Sequence, residues 1–528
     1  MHGKINQYHE LNTTRVMIDS TLEIIGYCDK TEEQIKEMME AGKSHKLLDL
    51  RGEYTLVYTK SGKTVIISSS IGAMQYCYYY DGNSFCHGRT VIDIVKKLGV
   101  FWEWDWQTVG DLCELENCTE GRTLHKKVKK VPPGTIITFD SKLTIHSKSF
   151  IDTILTYDSG DPVEAIDIFN EETSFWASKN PYLSLSGGFD SRTILSSMLK
   201  QDIYPTLVTL GEEDSSDVHV SRQIAKQFAL EHIVVNLDVE ELLECGEHIA
   251  YITNGTKPAY HWHTYLYPRK AQVPKEETFY VGTLGEFARN YYFDKGLIGI
   301  LLEGNGKRGQ RLFWESKIRR HRTFKDTELP RLNSDFREEV QESGIKRRAM
   351  KNTKLGNGGV LSGGSRYYLE QRVPNFYANG ISMYNDTTQW RSPFHNTEWI
   401  KRIWNLSDNW KLGSNWHRLA IKRNLPQLLD FSEEKGFLRD KMLAKAPPFY
   451  WLPFMQRMKY KSYDLSEGWY REEKVRSFIM DNKSLLDDFC EHSLIEDIIK
   501  EHREGSSRIR AISFFLTMIY FKKALTNA

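Results

Sequence analysis

The sharpest chemical signal in the chain is the run Ser184-Leu185-Ser186-Gly187-Gly188-Phe189-Asp190-Ser191-Arg192. The apolar stretch Pro181–Leu185 reads as a strand and Ser191–Lys200 as a helix, so the run is a strand–turn–helix corner. Glycines at 187 and 188 allow a tight turn and place no side chain in the way of a phosphate. Amide groups at the start of the helix point at an anion, and the helix dipole favours negative charge there. Asp190 is an awkward neighbour for a phosphate unless a cation stands between them, and Mg2+ held by Asp190 and phosphate oxygens removes the clash. Ser186 and Ser191 add hydroxyl donors. No G-x-x-x-x-G-K-[ST] string is present, so this is not a Walker A loop. A bare Gly-Gly corner would be an ordinary connection; the full S-G-G-x-D-S string in this context is far more specific.

The elements around that corner have the rhythm of a parallel sheet. Strands are expected at Pro181–Leu185, Thr206–Leu210, His232–Leu237 and Phe279–Gly282, with helices at Ser191–Lys200 and Asp217–Ala229 between them. Beyond about residue 300 the pattern turns helical, and the segment Gly304–Leu361, with scattered glycines and charge clusters, reads as a loop region. The first 150 residues read differently. Strands are expected at Thr21–Gly26, Glu53–Thr59, Thr64–Ser69, Gln75–Tyr80, Ser84–His87 and Thr135–Phe139, and helices at Thr31–Ala41 and Thr90–Leu98. Lys129–Gly134 reads as a loop. This half is an α+β layer of paired strands.

Composition narrows the function. At roughly 100–200 residues per domain, 528 residues make about two to four domains. Lys+Arg is 71 and Asp+Glu 70, a balance that lacks the basic field of a nucleic-acid binder. The seven cysteines form no C-x-x-C pair, which disfavours a zinc site and fits a reducing cytoplasm. The N-terminus has no apolar signal core, and the apolar run Ile512–Tyr520 is too short to span a bilayer. It reads as a buried helix. No membrane or nucleic-acid partner is expected.

The S-G-G-F-D-S string is that of the PP-loop ATP pyrophosphatases. The surrounding chain resembles the class B asparagine synthetases and their relatives, the β-lactam synthetases and lasso-peptide cyclases. The resemblance implies an α/β PP-loop parallel-sheet synthetase domain, adenine nucleotide alpha-hydrolase-like, over 155–528. Its nucleotide core covers about 155–300 and its helical substrate region about 301–528. It implies that ATP is cut between its α and β phosphates and AMP passed to a carboxylate. Leu185, Ser186, Gly187, Gly188, Phe189, Asp190, Ser191, Leu210 and Gly282 would then bind ATP or pyrophosphate, Leu185 and Leu210 through their backbones. Gly282-Thr283-Leu284-Gly285-Glu286 resembles the family's G-x-x-x-[DE] turn, which pairs Glu286 with Asp190 as Mg2+ ligands. Arg289 would fork onto a phosphate or carboxylate. Tyr367–Arg372 and Trp390-Arg391-Ser392-Pro393-Phe394 resemble the substrate region. Glu370 would orient or deprotonate the amine, although an ion pair with a neighbouring arginine is an equal reading. Arg391 is a substrate or structural arginine. Lys435 stands where relatives carry a lysine that stabilises transition-state charge.

The first region resembles an N-terminal-nucleophile glutaminase through Gly52–Val57 and Lys130–Gly134. The expected α+β domain over 1–150 is a truncated remnant, since position 2 is His2 and Ser68-Ser69-Ser70 replaces an Arg-Asp pair. In complete synthetases a Glu stands at the position of Thr283, where it helps form the acyl-adenylate and activate the amine; its loss puts asparagine as the product in doubt. The expected activity is an AMP-forming amide ligase using ATP and Mg2+. It would join a small-molecule or peptide carboxylate to ammonia or an amine without hydrolysing glutamine itself, with a partner protein as one source of substrate. An intramolecular lactam or macrolactam former is the alternative. A tRNA-modifying PP-loop enzyme would call for basic clusters and cysteine pairs. A catalytically dead nucleotide scaffold is disfavoured by the complete loop string.

Overall fold

The computed structural model of the chain describes residues 20–155, 160–289, 322–341, 364–411, 414–431 and 465–527. The first region carries β1 (Thr21–Cys28), β2 (Gly52–Lys60), β3 (Lys63–Ser68), β4 (Cys77–Tyr80), β5 (Phe85–Gly88), β6 (Val128–Lys130), β7 (Thr135–Phe139) and β8 (Leu143–Ser147). They make two sheets, ordered β1-β2-β3-β7-β8 and β5-β4-β6, with every pair antiparallel. The β2–β3 hairpin closes on the pair Lys60–Lys63. Ser61 and Gly62 between them both take positive φ, 51° and 82°, the backbone that matches strand twist in a two-residue turn.

The second sheet is parallel throughout. Its strands are β9 (Tyr182–Ser184), β10 (Thr206–Leu210), β11 (His232–Val235), β12 (Thr278–Tyr280) and β13 (Gln389–Arg391), in the order β11-β10-β9-β12-β13. Crossover helices Phe189–Lys200 and Ser216–Phe228 separate the first three strands, and Val239–Ile252 follows β11. Ser215 caps the second by accepting from the Val218 amide, and Asp238 with Glu241 forms a capping box on the third. The chain steps outward from β9 to β11 and then returns to the other side of β9 for β12. That reversal opens a crevice at the carboxyl ends of β9 and β12, the usual ligand position in such sheets.

Alternate residues of the strands face opposite sides. Val208 and Phe279 join one core, which runs from Ile25 and Tyr27 of β1 to Phe515 and Phe521 near the C-terminus. Leu207 and Tyr280 join the other, with Phe394, Trp399 and Trp416. The antiparallel region and the parallel sheet thus share one apolar interior. The expected apolar run near the C-terminus lies inside the helix Ile509–Asn527. No helix among the described residues is long and apolar enough to cross a membrane.

Several expectations shift. The helix after the Gly-Gly turn begins at Phe189, not Ser191, so Asp190 lies in its first turn. The strand expected through Gly282 ends at Tyr280, because Gly282 opens a turn in which the Gly285 amide donates to the Gly282 carbonyl at 3.1 Å. Lys129–Gly134 is not all loop: β6 ends at Lys130, paired with Cys77. β8, β13 and the helix Trp106–Leu115 were not anticipated; the three residues of β13 are too few to show a period. The stretch Tyr368–Tyr377 is a π-helix with Pro374 inside it, a form in which hydrogen bonds skip one residue further than in an α-helix. Most of Gly304–Leu361 lies outside the described residues.

Candidate active site

The Gly-Gly loop is braced from within. The Ser191 hydroxyl accepts from the Ser186 amide at 3.1 Å, and the Ser186 hydroxyl accepts from the Gly188 amide at 3.2 Å. The Gly187 amide donates to the Asp217 carboxylate at 2.6 Å, so a carboxylate already sits where this amide can receive an anion. Arg192 is fully buried. Its guanidinium donates to the carbonyls of Gly187, of Leu428 at 3.3 Å and of Phe431 at 3.0 Å. Arg418 lies 4.2 Å over the Phe189 ring. These contacts hold the loop against the 425–431 segment and give Phe189 a packing role.

Asp190 is the junction of the site. Arg289 Nη2 lies 2.8 Å from its Oδ2 and His417 Nε2 3.0 Å from its Oδ1. Burial pushes the Asp190 carboxyl up, but Arg289 and His417 outweigh it and hold the group below the usual carboxylate range. Glu286 behaves oppositely. Burial, and then the charge of Asp190, raise it above that range despite Arg289 and a hydrogen bond from Tyr377. The two carboxylates therefore feel each other's charge where the β9 loop and the β12 turn converge, and no third His, Cys, Asp or Glu completes a metal cluster among the described residues. The pair fits Mg2+, which is held by one or two carboxylates together with phosphate oxygens and not by a full protein cage.

A cavity of about 390 Å³ opens beside the same turn. Thr283 and Tyr377 line it, so it begins where the carboxylate pair ends. Arg372 and Arg510 give it a cationic wall beside Lys257 and His261, and Glu116 is the single acid among the described residues that line it. Glu116 takes bonds from Arg372, Arg510 and Tyr260. A second cavity of about 690 Å³ shares Tyr260 and Arg510 with the first.

Residues 179–273 match the family model for asparagine synthase. The matched stretch holds β9, β10, β11 and the Gly-Gly loop. Among solved structures, the chain is similar to an NMN synthetase from Francisella tularensis, at 16% identity over 25% of this chain and 59% of that one, with a TM-score of 0.18. It is also similar to an allosteric regulatory enzyme of purine biosynthesis, at 8% identity over 41% and 60%, with a TM-score of 0.17. The chain spans about three fifths of each of these structures. No curated protein matches it. The β12 turn, with Thr283, Glu286 and Arg289, lies beyond the asparagine-synthase-like stretch.

The expected residues divide into those the fold brings together and those it does not. Gly187, Gly188, Asp190, Ser191, Gly282, Glu286 and Arg289 converge. The Leu185 amide donates to the Val208 carbonyl at 2.9 Å, and its carbonyl accepts from Thr209 and Ser221, so its backbone serves the sheet. Leu210 ends β10 half-buried. Glu370 is paired with Arg366 at 2.8 Å and does not line the cavity; the ion-pair reading describes it. Arg391 lies 4.0 Å over the Tyr27 ring and donates to the Trp390 carbonyl at 2.8 Å. It joins β13 to β1. Lys435 lies outside the described residues.

Sequence reasoning missed His417, Tyr377 and Lys257, which have no local motif. It also missed a buried chain of contacts. The Thr283 hydroxyl lies 3.3 Å from His395 Nε2, and His395 Nδ1 is 3.8 Å from Glu53 of β2. Glu53 in turn accepts from Ser69 at 2.8 Å and from the Ala73 amide at 3.1 Å. The antiparallel region thereby reaches the turn that carries Glu286.

Proposed function

We propose that the chain is an ATP-dependent amide ligase of the asparagine synthetase type that releases AMP and pyrophosphate. The observation that supports this most is the β12 turn that carries Glu286 pressing its Gly285 backbone against Asp190 of the β9 loop, directly beside a cation-lined cavity. In this reading the Gly187 and Gly188 amides receive a phosphate once Asp217 lets go of Gly187 and Ser186 of Gly188. Asp190 and Glu286 would hold Mg2+, which when bound would neutralise negative charge on a leaving pyrophosphate. Arg289 and His417 keep Asp190 ionised for that task. The cavity presents a carboxylate to ATP, with Arg372 and Arg510 balancing its charge.

Ligation requires a better leaving group than hydroxide. Attack of the carboxylate on the α-phosphorus forms an acyl-adenylate and expels pyrophosphate; an amine or ammonia then displaces AMP. The division into a glutaminase-like region over 1–150 and a synthetase region over 155–528 belongs to this proposal, as does the lack of glutamine hydrolysis. A second reading, closure of a lactam within one peptide or larger substrate, draws support from the two cavities that share Tyr260 and Arg510, whose space far exceeds that of a free amino acid. The deciding experiment supplies labelled ATP, Mg2+ and a panel of carboxylic acids and resolves the products by chromatography. AMP with pyrophosphate is expected; ADP as the main product overturns the assignment.

A further inference from the structure

The cavity beside Thr283 contains a lysine with an unusual setting. Lys257 is 5% exposed. Its Nζ donates to the Phe376 carbonyl at 3.3 Å and stands 3.5 Å from the Phe376 ring centroid. Arg372 Cζ lies 3.7 Å from the same centroid. Two cationic side chains thus share one ring in a buried place. A guanidinium does not give up its proton in a protein, whereas a lysine ammonium does so readily when buried. Burial first, and then Arg372, push the Lys257 amine well below its usual value, with Glu286 opposing.

The other groups around the cavity do not offer the same service. Glu116 is held by Arg372, Arg510 and Tyr260. Tyr377 donates to Glu286, and Tyr384 shares a hydroxyl contact of 3.2 Å with Tyr267. Thr283 supplies a hydroxyl, which is no base. Among the described residues that line the cavity, His261 is the competitor; its ring lies 4.2 Å from the Tyr260 ring and 5.2 Å from Phe376.

We propose that Lys257 accepts the proton released when an amine attacks the acyl-adenylate. This rests on the amide-ligase reading above. The amine lone pair forms the new C–N bond to the acyl carbon. The C–O bond to AMP breaks and its electron pair leaves on the AMP phosphate. The proton lost by the nitrogen passes to Lys257 Nζ, which therefore has to be neutral before the step. A general base of this kind contributes roughly 10²–10⁴-fold.

The test uses the full chain, with the acid that best supports ATP–pyrophosphate exchange in the wild-type protein. Lys257→Arg and Lys257→Met are compared with wild type in three assays: exchange, hydroxamate formation with hydroxylamine, and amide formation with ammonium chloride. Hydroxylamine is unprotonated at neutral pH, and after attack its more acidic nitrogen loses the proton to water, so it depends far less on a positioned base. Exchange and hydroxamate formation close to wild type, with amide formation down at least about a hundredfold, is the expected result. The wild-type protein is also pulsed with acetic anhydride between pH 6 and 9 and read by mass spectrometry. Acetylation of Lys257 should level off at lower pH than that of exposed lysines, which climb with pH toward their ordinary value of about 10.4. Equal losses in all three assays, Lys257 acetylation that climbs in step with exposed lysines, or the base-specific loss appearing in His261→Asn instead, each overturn the proposal. Exchange in wild type with an unchanged amide rate in Lys257→Arg overturns the lysine's role alone. Absence of exchange with every acid overturns the ligase reading itself.

Discussion

A Cβ on Gly285 would stand 2.7 Å from the carboxyl carbon of Asp190 and 2.9 Å from its Oδ1. The β12 turn therefore presses its backbone against the acid of the β9 loop, and only a residue without a side chain permits it. Leu284, just before, takes a positive φ of 70°, uncommon for a bulky residue. The spacing of Gly282, Gly285 and Glu286 is what lets the turn that carries Glu286 pack against Asp190.

Gly285→Ala should therefore damage activity more than stability. Overpacking of this kind costs on the order of 1–3 kcal/mol, whereas displacing a reacting group by about 1 Å can cost 10²-fold in rate. Denaturant titration alongside nucleotide turnover checks this. Wild-type turnover in the alanine variant would show that the contact between turn and loop does not serve the chemistry.

Asp190→Asn and Glu286→Gln should both lose turnover. Losing a preorganised charge costs on the order of 2–4 kcal/mol, or about 30- to 1000-fold in rate. Their stabilities should part. Asp190 is held ionised by Arg289 and His417, so its amide variant loses two favourable contacts, moderated by the partial exposure of the pair. Glu286 is raised by burial and by Asp190, so Glu286→Gln removes a repulsion and should be neutral or stabilising. Thermal melts of the two variants decide the sign; a melting temperature lowered by Glu286→Gln would contradict the pairing described.

Arg192→Met should unfold the loop's support. The arginine is fully buried and donates to three carbonyls, and bonds from charged donors contribute about 1.5–3 kcal/mol each. A loss on the order of 3 kcal/mol or more in urea unfolding is expected, with ATP affinity falling as Gly187 is released. A loss under about 0.5 kcal/mol, the range of ordinary surface substitutions, would refute it.

Lys257 should give stability a slope with pH. Its folded value is lowered by burial and then by Arg372. Between that value and the unfolded value of about 10.4, the unfolded chain holds the extra proton, so this group makes the fold more stable as pH rises and less stable as pH falls. Lys257→Met removes the group and should flatten that slope. Urea unfolding of both proteins at pH 7 and pH 9 measures it; equal slopes would mean that Lys257 stays charged in the fold.

Glutamine should not be hydrolysed. The Cys28 thiol is pushed up by burial, and its Sγ lies 3.6 Å from the Lys30 carbonyl. The Ser69 hydroxyl is engaged with Glu53, and Ser68-Ser69-Ser70 has no guanidinium to hold an α-carboxylate. Glutamate release is followed with glutamine, ATP and Mg2+; release that disappears in Cys28→Ala would reveal a working thiol.

The sequence by itself determined the local parts. The S-G-G-F-D-S corner, the alternation of short strands and helices from Pro181 to Leu237 and the hairpin at Ser61-Gly62 are all set by neighbours a few residues apart, where turn chemistry and apolar periodicity act. The tertiary structure alone decided which distant groups meet. His417 reaches Asp190 from a helix far along the chain, and His395 faces Glu53 of the other sheet. Glu370 turns to Arg366, four residues away, instead of to the cavity. The cavity also required the fold, because Lys257, Arg372 and Arg510 come from three separate segments. Burial is why this matters. The same lysine or glutamate in water keeps its ordinary charge, and only burial, with Arg372 near the one and Asp190 near the other, displaces it.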